Sequence, residues 1–415
     1  MNLSAELDRW LAPQTRELLA RIGSCAASLG HQAFLVGGPV RDLLLGRTSL
    51  DLDVVVEGDA LAVAHAATVP GQSAPVTHPA FGTATICSGA FRIDFASARA
   101  ESYERPGALP VVRPGTIEQD LVRRDFTINA MALTLDGRHR GELLDLHGGR
   151  ADLEHGLLRV LHDGSFVDDA TRIVRGVRYE QRFGFALEER TRELLQRGLP
   201  YLDCISADRV RHELERTFAE GEPEMALRRL DMLGVLRAIH PSLNFDRQKE
   251  WAQIGARKSA PSLTLPDALQ WCVLAWGMSA ADVDTLGARL NLPRRLKEAV
   301  AAAATLVLLE PRLDDSRLSR SDVFGLLHVF NHAPLIAAEM MFARPAAREN
   351  VSVFIHHLRH VRCSLTGDDL RAMGVPDGPE MGRILSCLRD ARLDGEVSSR
   401  AEELALGRRL WGSVR

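Results

Sequence analysis

Lysine is nearly missing from this sequence. Only Lys249, Lys258 and Lys297 occur among the 51 cationic side chains, and all the others are arginines. Genomic composition bias can produce this imbalance, and so can a preference for planar, bidentate phosphate ligands. The formal net charge is −4, so the chain is not uniformly basic. A nucleic-acid partner would therefore have to be bound by local arginine patches.

Cysteine clusters and long apolar runs are also missing. The 6 cysteines are scattered, with no Cys-x-x-Cys pair, which excludes a disulfide framework and a structural zinc site. No segment approaches the roughly 18 consecutive apolar residues that a transmembrane helix needs, and the N-terminus lacks the shape of a signal peptide. The sequence therefore predicts a cytoplasmic protein without a membrane partner or an obligate protein partner.

The chain changes character near residue 145. Before it, four segments read as strands and alternate with helical segments; they are AFLVGG, LDVVVEG, TATICSG and FRIDFAS. Residues 5 to 30 read as one helix. After it, almost every segment from Asp168 onward has helical spacing. The predicted fold is a mixed α/β domain followed by an all-α remainder, with a possible boundary between Pro241 and Pro266.

Two carboxylates begin one of the predicted strands. Asp51 and Asp53 are two residues apart, so they project from the same face of the strand. Adjacent carboxylates repel each other by roughly 4 kcal/mol at 4 Å and an effective dielectric constant near 20. A bound cation would remove that cost, and oxygen ligands suit Mg²⁺. A pair of surface acids that only aids solubility is the alternative.

Three further segments could bind an anion. Gly37 and Gly38 lie between a strand and a predicted helix that contains Arg41, where the backbone could approach a phosphate closely. In RRDFTINA, Arg124 could bind a phosphate or pair with Asp125, and Asn129 could be a helix cap.

The third segment is DDATRIVRGVR. Arg172, Arg175 and Arg178 follow Asp169 at intervals of three residues on an otherwise apolar helix. An exposed charged face is one interpretation. Because one acid cannot compensate three arginines, the alternative is that an anion binds beside them.

These motifs occur in a familiar order. GGPVRD, the Asp51-x-Asp53 pair, RRDFTINA, DLHGGRADL and DDATRIVRGVRY together resemble the class II tRNA nucleotidyltransferases, or CCA-adding enzymes, and the related bacterial poly(A) polymerases. The resemblance is dense over residues 34 to 240. The resemblance is looser from there to the end of the chain, where TGDDLRAMGVPDGPEMGRILSCLRDARLDGEV resembles the tail of the family.

The resemblance implies three regions: a nucleotidyltransferase head at 1–147, a helical neck that recognises the base at 148–240, and a body and tail that bind tRNA at 241–415. It also implies residue roles. Asp51 and Asp53 would hold catalytic Mg²⁺, with Asp94 as a possible third carboxylate. The implied nucleotide-binding residues are Gly38, Arg41, Arg124, Asp169, Arg172, Arg175 and Arg178.

Asp169 and Arg172 would read the incoming base. A carboxylate accepts hydrogen bonds and a guanidinium donates them. Cytosine and adenine both present an amine beside a ring-nitrogen acceptor, whereas uracil and guanine present a carbonyl where the amine would be. A mismatch would cost about 1–3 kcal/mol. One Asp–Arg pair can therefore accept C and A and reject U and G.

The implied reaction is addition of C and A to the 3′ end of tRNA from CTP and ATP, with release of pyrophosphate. Residues 98–116 resemble the family's mobile loop, which favours complete CCA or A addition over CC addition. Three alternatives stay open: A-only or CC-only addition, poly(A) synthesis on RNA 3′ ends, and an inactive RNA-binding relative. The body would contact the tRNA acceptor arm, with candidate arginines at 209, 211, 228, 229, 294 and 295.

Overall fold

The structure is a computed structural model that describes residues 1–48, 51–68, 74–88, 91–246, 250–254 and 268–412. The chain divides into two compact units, Met1–Ile239 and His240–Arg415. Much of the stretch between Pro241 and Pro266, where the sequence suggests a boundary, lies outside the described residues. The division between head and neck near residue 147 stays a prediction.

A seven-stranded sheet dominates the first unit. Its strands are β1 (Gln32–Val36), β2 (Asp51–Glu57), β3 (Val76–His78), β4 (Thr83–Ser88), β5 (Phe91–Ser97), β8 (Ala132–Thr134) and β9 (Leu143–Leu144). Their order is β3-β4-β5-β2-β1-β8-β9. β2 and β5 pair in parallel, and the other neighbouring strands are antiparallel. Two small sheets consist of the hairpin β6 (Arg99–Ser102) with β7 (Val111–Pro114), and β10 (Leu157–Leu158) with β11 (Ala186–Leu187).

The first helices of this unit alternate with the strands of the sheet along the chain, and the later helices follow the sheet in sequence. The helices of the unit are α1 (Ser4–Trp10), α2 (Pro13–Ser28), α3 (Gly38–Leu44), α4 (Ala60–Ala67), α5 (Ile117–Val122), α6 (Gly149–His155), α7 (Ser165–Asp168), α8 (Thr171–Phe183), α9 (Glu189–Gly198), α10 (Ala207–Phe218), α11 (Pro223–Met232) and α12 (Val235–Ile239). Short 3₁₀ turns lie at Pro79–Phe81, Thr127–Asn129, Gly137–His139 and Leu199–Cys204. The mixed-sheet head followed by helices confirms the predicted fold class.

Most of the predicted elements are present, and the differences have local causes. FRIDFAS is β5, with Ile93 and Phe95 buried on one face. The single helix expected over residues 5 to 30 is wrong: the chain is extended at Ala12, and α2 begins with Pro13, whose ring is tolerated only in a first helical turn. The other strands, β3 and β6 to β11, were not predicted, because segments of two to four residues are too short to show a clear alternating pattern.

The second unit consists of helices. Their bounds are Leu269–Leu274, Ala280–Arg289, Arg294–Leu313, Arg320–Leu327, His332–Met341, Pro345–His356, Gly367–Ala372, Pro379–Leu393 and Arg400–Gly412, with a helical stretch at 250–254 and a 3₁₀ turn at Leu358–His360. No single helix in the described part of the chain is long and apolar enough to cross a membrane. Among the helices that the structure describes, one bent pair, Arg320–Leu327 with His332–Met341, is long and apolar enough when its two helices are taken together.

Candidate active site

The sheet brings the predicted carboxylates to one face. β2 begins at Asp51, and its exposed side chains Asp51 and Asp53 alternate with the buried Leu52. In the parallel register with β5, Asp53 lies opposite Asp94 and Asp51 lies opposite Arg92. Paired residues share a face of a sheet, so three carboxylates and one guanidinium occupy adjacent positions.

The environment of Asp53 opposes its ionisation. Although the Asp53 side chain reaches solvent, the protein atoms around its carboxylate desolvate it and raise its pKa; Arg124 partly offsets that effect, whereas the nearby Asp94 and Asp51 add to it. Crowded carboxylates of this kind are the hard oxygen donors that a magnesium ion prefers. The residues therefore fit the implied metal in chemistry. Within the described ranges, however, no three acidic, histidine or cysteine side chains are gathered closely enough to hold a metal ion.

The glycine turn between β1 and α3 admits a guanidinium. Gly37 has φ of 72°, and a Cβ atom at that position would lie 2.6 Å from Nη1 of Arg124. Arg124 donates from Nη2 to Oδ2 of the buried Asp120 at 3.0 Å, and its buried Nε has no hydrogen-bond partner among the described residues. An arginine packed against bare backbone with an unused donor suits an anionic ligand.

Gly37→Ala should weaken nucleotide binding more than it destabilises the fold. The new Cβ must displace the flexible end of Arg124, and alanine at a positive φ costs about 1 kcal/mol. We expect KM for the nucleotide to rise about fivefold to tenfold, in line with the loss of one charge-assisted hydrogen bond. Gly30→Ala is the matched control, since Gly30 has φ of 73° and open space around it. Equal KM values for the two variants would contradict the role given to Arg124.

A buried polar network lies beside this turn. Arg41 donates from Nη1 to Oδ1 of Asn129 at 2.6 Å, and its other nitrogens bind Asp42. Asn129 in turn donates to Asp125 at 3.0 Å, and Asp125 accepts from Arg175 at 2.7 Å. Burial opposes the charge on Asp125, but Arg175 and Asn129 together hold its pKa below the usual range. Asn129 is thus a link in the network, and its interpretation as a helix cap is wrong.

The arginines of α8 are compensated more fully than their own helix suggests. Arg175 pairs with Asp125, and the buried Arg178 donates to Glu213 and Glu220 at 3.3 Å. The argument that three arginines with one acid require an anion is therefore wrong, because the acids come from other elements. Arg178 is not among the described residues that line the cavity. Its predicted contact with the nucleotide stays a prediction.

Asp169 and Arg172 are held rigidly. Asp169 lies in the short link between α7 and α8; its Oδ1 accepts from the backbone N and Oγ1 of Thr171, and its Oδ2 accepts from Arg209 at 2.6 Å. Arg172 donates to Ser165 Oγ and to the Arg123 carbonyl, both at 2.7 Å. These contacts leave N–H donors on the guanidinium and acceptor capacity on the carboxylate. Arg209, which the sequence suggested as a tRNA contact of the body, pairs with Asp169, and its contact with tRNA stays a prediction.

The segment of the β6–β7 hairpin lines the same cavity as Asp169 and Arg172, through Glu101 and Tyr103. Glu101, which is almost fully buried, accepts from Arg99, Arg123 and the hydroxyl of Tyr103. Burial, reinforced by the neighbouring Glu101, raises the pKa of Tyr103 to about 12, so this phenol stays protonated at neutral pH. The segment that resembles a mobile loop therefore places a neutral aromatic ring near Arg172 and Asp169.

One cavity of about 690 Å³ connects these groups. It is lined by Asp53 and Asp94 on the sheet and by Arg172 and Asp169 near α8. The other predicted site residues along its wall are Gly38, Arg41, Arg124 and Arg175. Asp51 shares the face of Asp53 but is not among the described lining residues. The cavity thus places acids at one wall and a donor–acceptor pair at another, the two requirements of a nucleotide site that selects a base.

Several lining residues were not predicted as site residues. They are Arg92, Glu101, Tyr103, Arg123 and Asp125. Arg123 and Asp125 flank Arg124 in RRDFTINA, and Arg92 lies two residues before Asp94, whereas Glu101 and Tyr103 belong to the hairpin segment and carry no motif of their own. Alternation along FRIDFAS could have found Arg92, because it puts Arg92 on the same face as Asp94.

Two known protein families match parts of this chain. Residues 33–159 match the family described as "Poly A polymerase head domain", and residues 184–246 match "Probable RNA and SrmB- binding site of polymerase A". The first match contains the sheet, the glycine turn and the carboxylates. The head is therefore that of an RNA nucleotidyltransferase.

Curated relatives resemble the chain over nearly all of its length. An A-adding tRNA nucleotidyltransferase of Halalkalibacterium halodurans is 33% identical over 99% of this chain and 96% of its own length. A CC-adding tRNA nucleotidyltransferase of Deinococcus radiodurans is also 33% identical, over 95% and 93%. An A-adding relative from Geobacter sulfurreducens is 34% identical over 98% of this chain, but the chain spans only 48% of that protein's length.

Solved structures agree with these relatives. A CCA-adding enzyme in an apo form superposes with a TM-score of 0.85, with 30% identity and 98% coverage of both chains. The Thermotoga maritima CCA-adding enzyme complexed with tRNA has a TM-score of 0.80, with 28% identity and coverage of 100% and 99%. This chain belongs to the tRNA nucleotidyltransferase family.

Proposed function

We propose that this protein adds the C and A nucleotides of the CCA sequence to the 3′ end of tRNA, from CTP and ATP, in the cytoplasm. The observation that carries the proposal is that one cavity is lined both by Asp53 of the sheet and by the pair Asp169 and Arg172 at the start of α8. An acid cluster at one end suits phosphoryl chemistry, and a fixed donor–acceptor pair at the other suits a base. Resembling structures include a CCA-adding enzyme with ATP and one with CTP, which supports the same substrates here.

Base selection rests on the rigidity of the donor–acceptor pair. Thr171 and Arg209 fix the Asp169 carboxylate, while Ser165 and the Arg123 carbonyl fix Arg172. Because neither group can turn to suit another base, a carbonyl facing Asp169 would be left unpaired. Cytosine and adenine would satisfy both groups, and uracil and guanine would not.

The remaining side chains would hold the triphosphate and the reacting groups. Arg124 packs its Nη1 against the bare Gly37 backbone and lines the cavity together with Arg41 and Arg175. Such positioning brings the tRNA 3′-hydroxyl and the α-phosphorus together and stabilises charge in the transition state. Asp51 and Asp53, with Asp94 as a possible third ligand, would hold Mg²⁺, which when bound lowers the pKa of a hydroxyl and stabilises the leaving pyrophosphate.

Addition of A alone is a second candidate. Two relatives that match almost the whole chain are named A-adding tRNA nucleotidyltransferases, and the Tyr103 hairpin is present beside the base-reading pair. The resemblance associates that hairpin with A addition, so addition of CC alone is disfavoured. The two candidates share every residue role above and differ only in the tRNA ends that the protein extends.

Incubation with defined tRNA ends separates these activities. Purified protein would be given tRNAs that end before C, after the first C and after CC, each with CTP, ATP or both. CCA addition predicts that all three ends become the same mature product. A-only addition predicts extension of the CC end alone, and poly(A) synthesis predicts a long A tail. No incorporation with any end would contradict the proposal and favour an inactive RNA-binding relative.

The second unit would bind the tRNA acceptor arm through its phosphates. Of the arginines suggested for this role, Arg211 and Arg229 lie in the first unit, where they pair with Asp208 and Glu180. The highly exposed Arg294 lies in the second unit and pairs with Glu298. Exposed pairs of this type exchange partners at low cost, so Arg294 is the best-placed of these three for a phosphate. Its contribution should appear as salt-dependent tRNA affinity.

A further inference from the structure

Arg92 occupies an unusual position among the carboxylates. It lies on β5 directly opposite Asp51, two residues before Asp94, and on the same face of the sheet as both. Its Nε lies 3.1 Å from Oδ1 and 3.0 Å from Oδ2 of Asp94. A guanidinium therefore already contacts both oxygens of the acid that could be the third metal ligand.

Asp94 is engaged on its other side as well. The hydroxyl of Thr85, on the neighbouring strand β4, donates to Oδ1 at 2.5 Å. Thr85 lies directly opposite Asp94 in the sheet, so the backbone fixes this contact. Asp94 thus has two protein partners on the side of the sheet where a divalent cation would compete for its oxygens.

We propose that Arg92 is a built-in counter-cation, whose guanidinium balances the carboxylate cluster in the nucleotide-free protein and must withdraw when a divalent ion binds. The inference rests on the proposed function, which assigns metal binding to Asp51 and Asp53. A guanidinium and a divalent cation cannot both contact Asp94 closely, because they repel each other and compete for the same oxygens.

The exposure of Arg92 makes withdrawal feasible. Its side chain is 58% exposed, whereas Asp94 is 35% exposed. An exposed ion pair contributes only about 0.2–1 kcal/mol, so it can open when a stronger cation arrives. In contrast, Arg178 is 7% exposed and held by two acids, and could not leave its partners at comparable cost. Arg92 would therefore weaken metal binding until a nucleotide supplies phosphate ligands.

Metal affinity without nucleotide tests this role directly. Mn²⁺ would replace Mg²⁺, and free Mn²⁺ would be titrated by electron paramagnetic resonance with the full chain. We expect Arg92→Gln and Arg92→Met to bind Mn²⁺ about fivefold tighter than the unchanged protein, and Arg92→Lys to bind it within about twofold. The fivefold change follows from the small free energy of an exposed ion pair, doubled because the competing ion carries two charges. Arg190→Gln is the matched control, since Arg190 is an exposed arginine paired with Asp163 outside the cavity.

The melting temperature of the protein, with and without Mg²⁺, is a second measurement of this role. Removal of the Arg92 guanidinium takes one positive charge from beside the carboxylates, so the melting temperature of Arg92→Gln should fall in a chelator and recover on addition of Mg²⁺. The recovery should exceed that of the Arg190→Gln control. A Mg²⁺-dependent shift equal in the two variants would contradict the inference.

Asp53→Ala distinguishes failure of this inference from failure of the metal assignment. If Asp53→Ala removes Mn²⁺ binding while Arg92→Gln and Arg92→Met bind no tighter than the unchanged protein, the counter-cation role is overturned and the metal site stands. If Asp53→Ala leaves Mn²⁺ binding intact, the metal assignment fails, and the role of Arg92 fails with it. Tighter binding by Arg92→Gln and its loss in Asp53→Ala together support both.

Discussion

Asp53→Ala should abolish nucleotide incorporation and leave the folded protein at least as stable as before. Asp53 lies at the acidic wall of the cavity, where loss of the proposed metal ligand should lower the rate by about 10³-fold or more. Its effect on stability has the opposite sign, because the pKa of Asp53 is raised in the folded state by desolvation and by the adjacent acids. Such a group costs stability at any pH above its unfolded pKa, so its removal should not lower the melting temperature at neutral pH.

Combining the two measurements makes the test specific. A variant that is inactive merely because it unfolds would melt earlier, and Asp53→Ala should not. Asp59→Ala is a suitable control for stability, because the Asp59 side chain caps α4 by accepting from the backbone N–H groups of Leu61 and Ala62. Loss of that cap should cost about 1 kcal/mol and leave incorporation intact. Activity retained in Asp53→Ala would refute the metal assignment.

Asp169→Ala should relax the choice of base. Without the carboxylate, a uracil or guanine carbonyl no longer faces an acceptor, so discrimination against UTP and GTP should fall by about 1–3 kcal/mol, or roughly 5-fold to 150-fold. Addition of C and A should also slow, since the amine of the correct base loses its partner. The measurement is kcat/KM for all four nucleotides, on a tRNA that ends before C and on a tRNA that ends in CC.

Two comparisons separate base reading from a general loss of structure. Asp163→Ala removes an exposed acid that is paired with Arg190 and lies outside the cavity lining, so it should change none of the four values. Asp169→Asn keeps the shape and adds an amide donor, so it should accept UTP or GTP better than Asp169→Ala does. An equal fall in kcat/KM for every nucleotide in Asp169→Ala would contradict the base-reading role.

The motif residues were predictable because each carries a local pattern. Alternation along β2 placed Asp51 and Asp53 on one face, and the glycine pair before α3 marked the turn that admits Arg124. The resemblance of ordered motifs then added roles that no single pattern could give. The comparisons confirm the family and the fold class, and the residue roles stay predictions.

The partners of those residues were not predictable, because they come from distant elements. Arg209 lies 40 positions from the Asp169 that it binds, and Asp125 lies 50 positions from Arg175. An arginine on a helix looks uncompensated when only its own helix is considered. Arg178 is an example, because its partners Glu213 and Glu220 lie outside α8. Long-range ion pairs depend on the tertiary fold, which local spacing does not encode.

The most direct test of the central claim is a crystal structure of the protein with Mn²⁺ and a non-hydrolysable ATP analogue. The account predicts an anomalous manganese signal at Asp51 and Asp53, triphosphate oxygens beside Arg124, and the adenine amine against Asp169. A triphosphate bound outside this cavity, or manganese that contacts neither Asp51 nor Asp53, would contradict it.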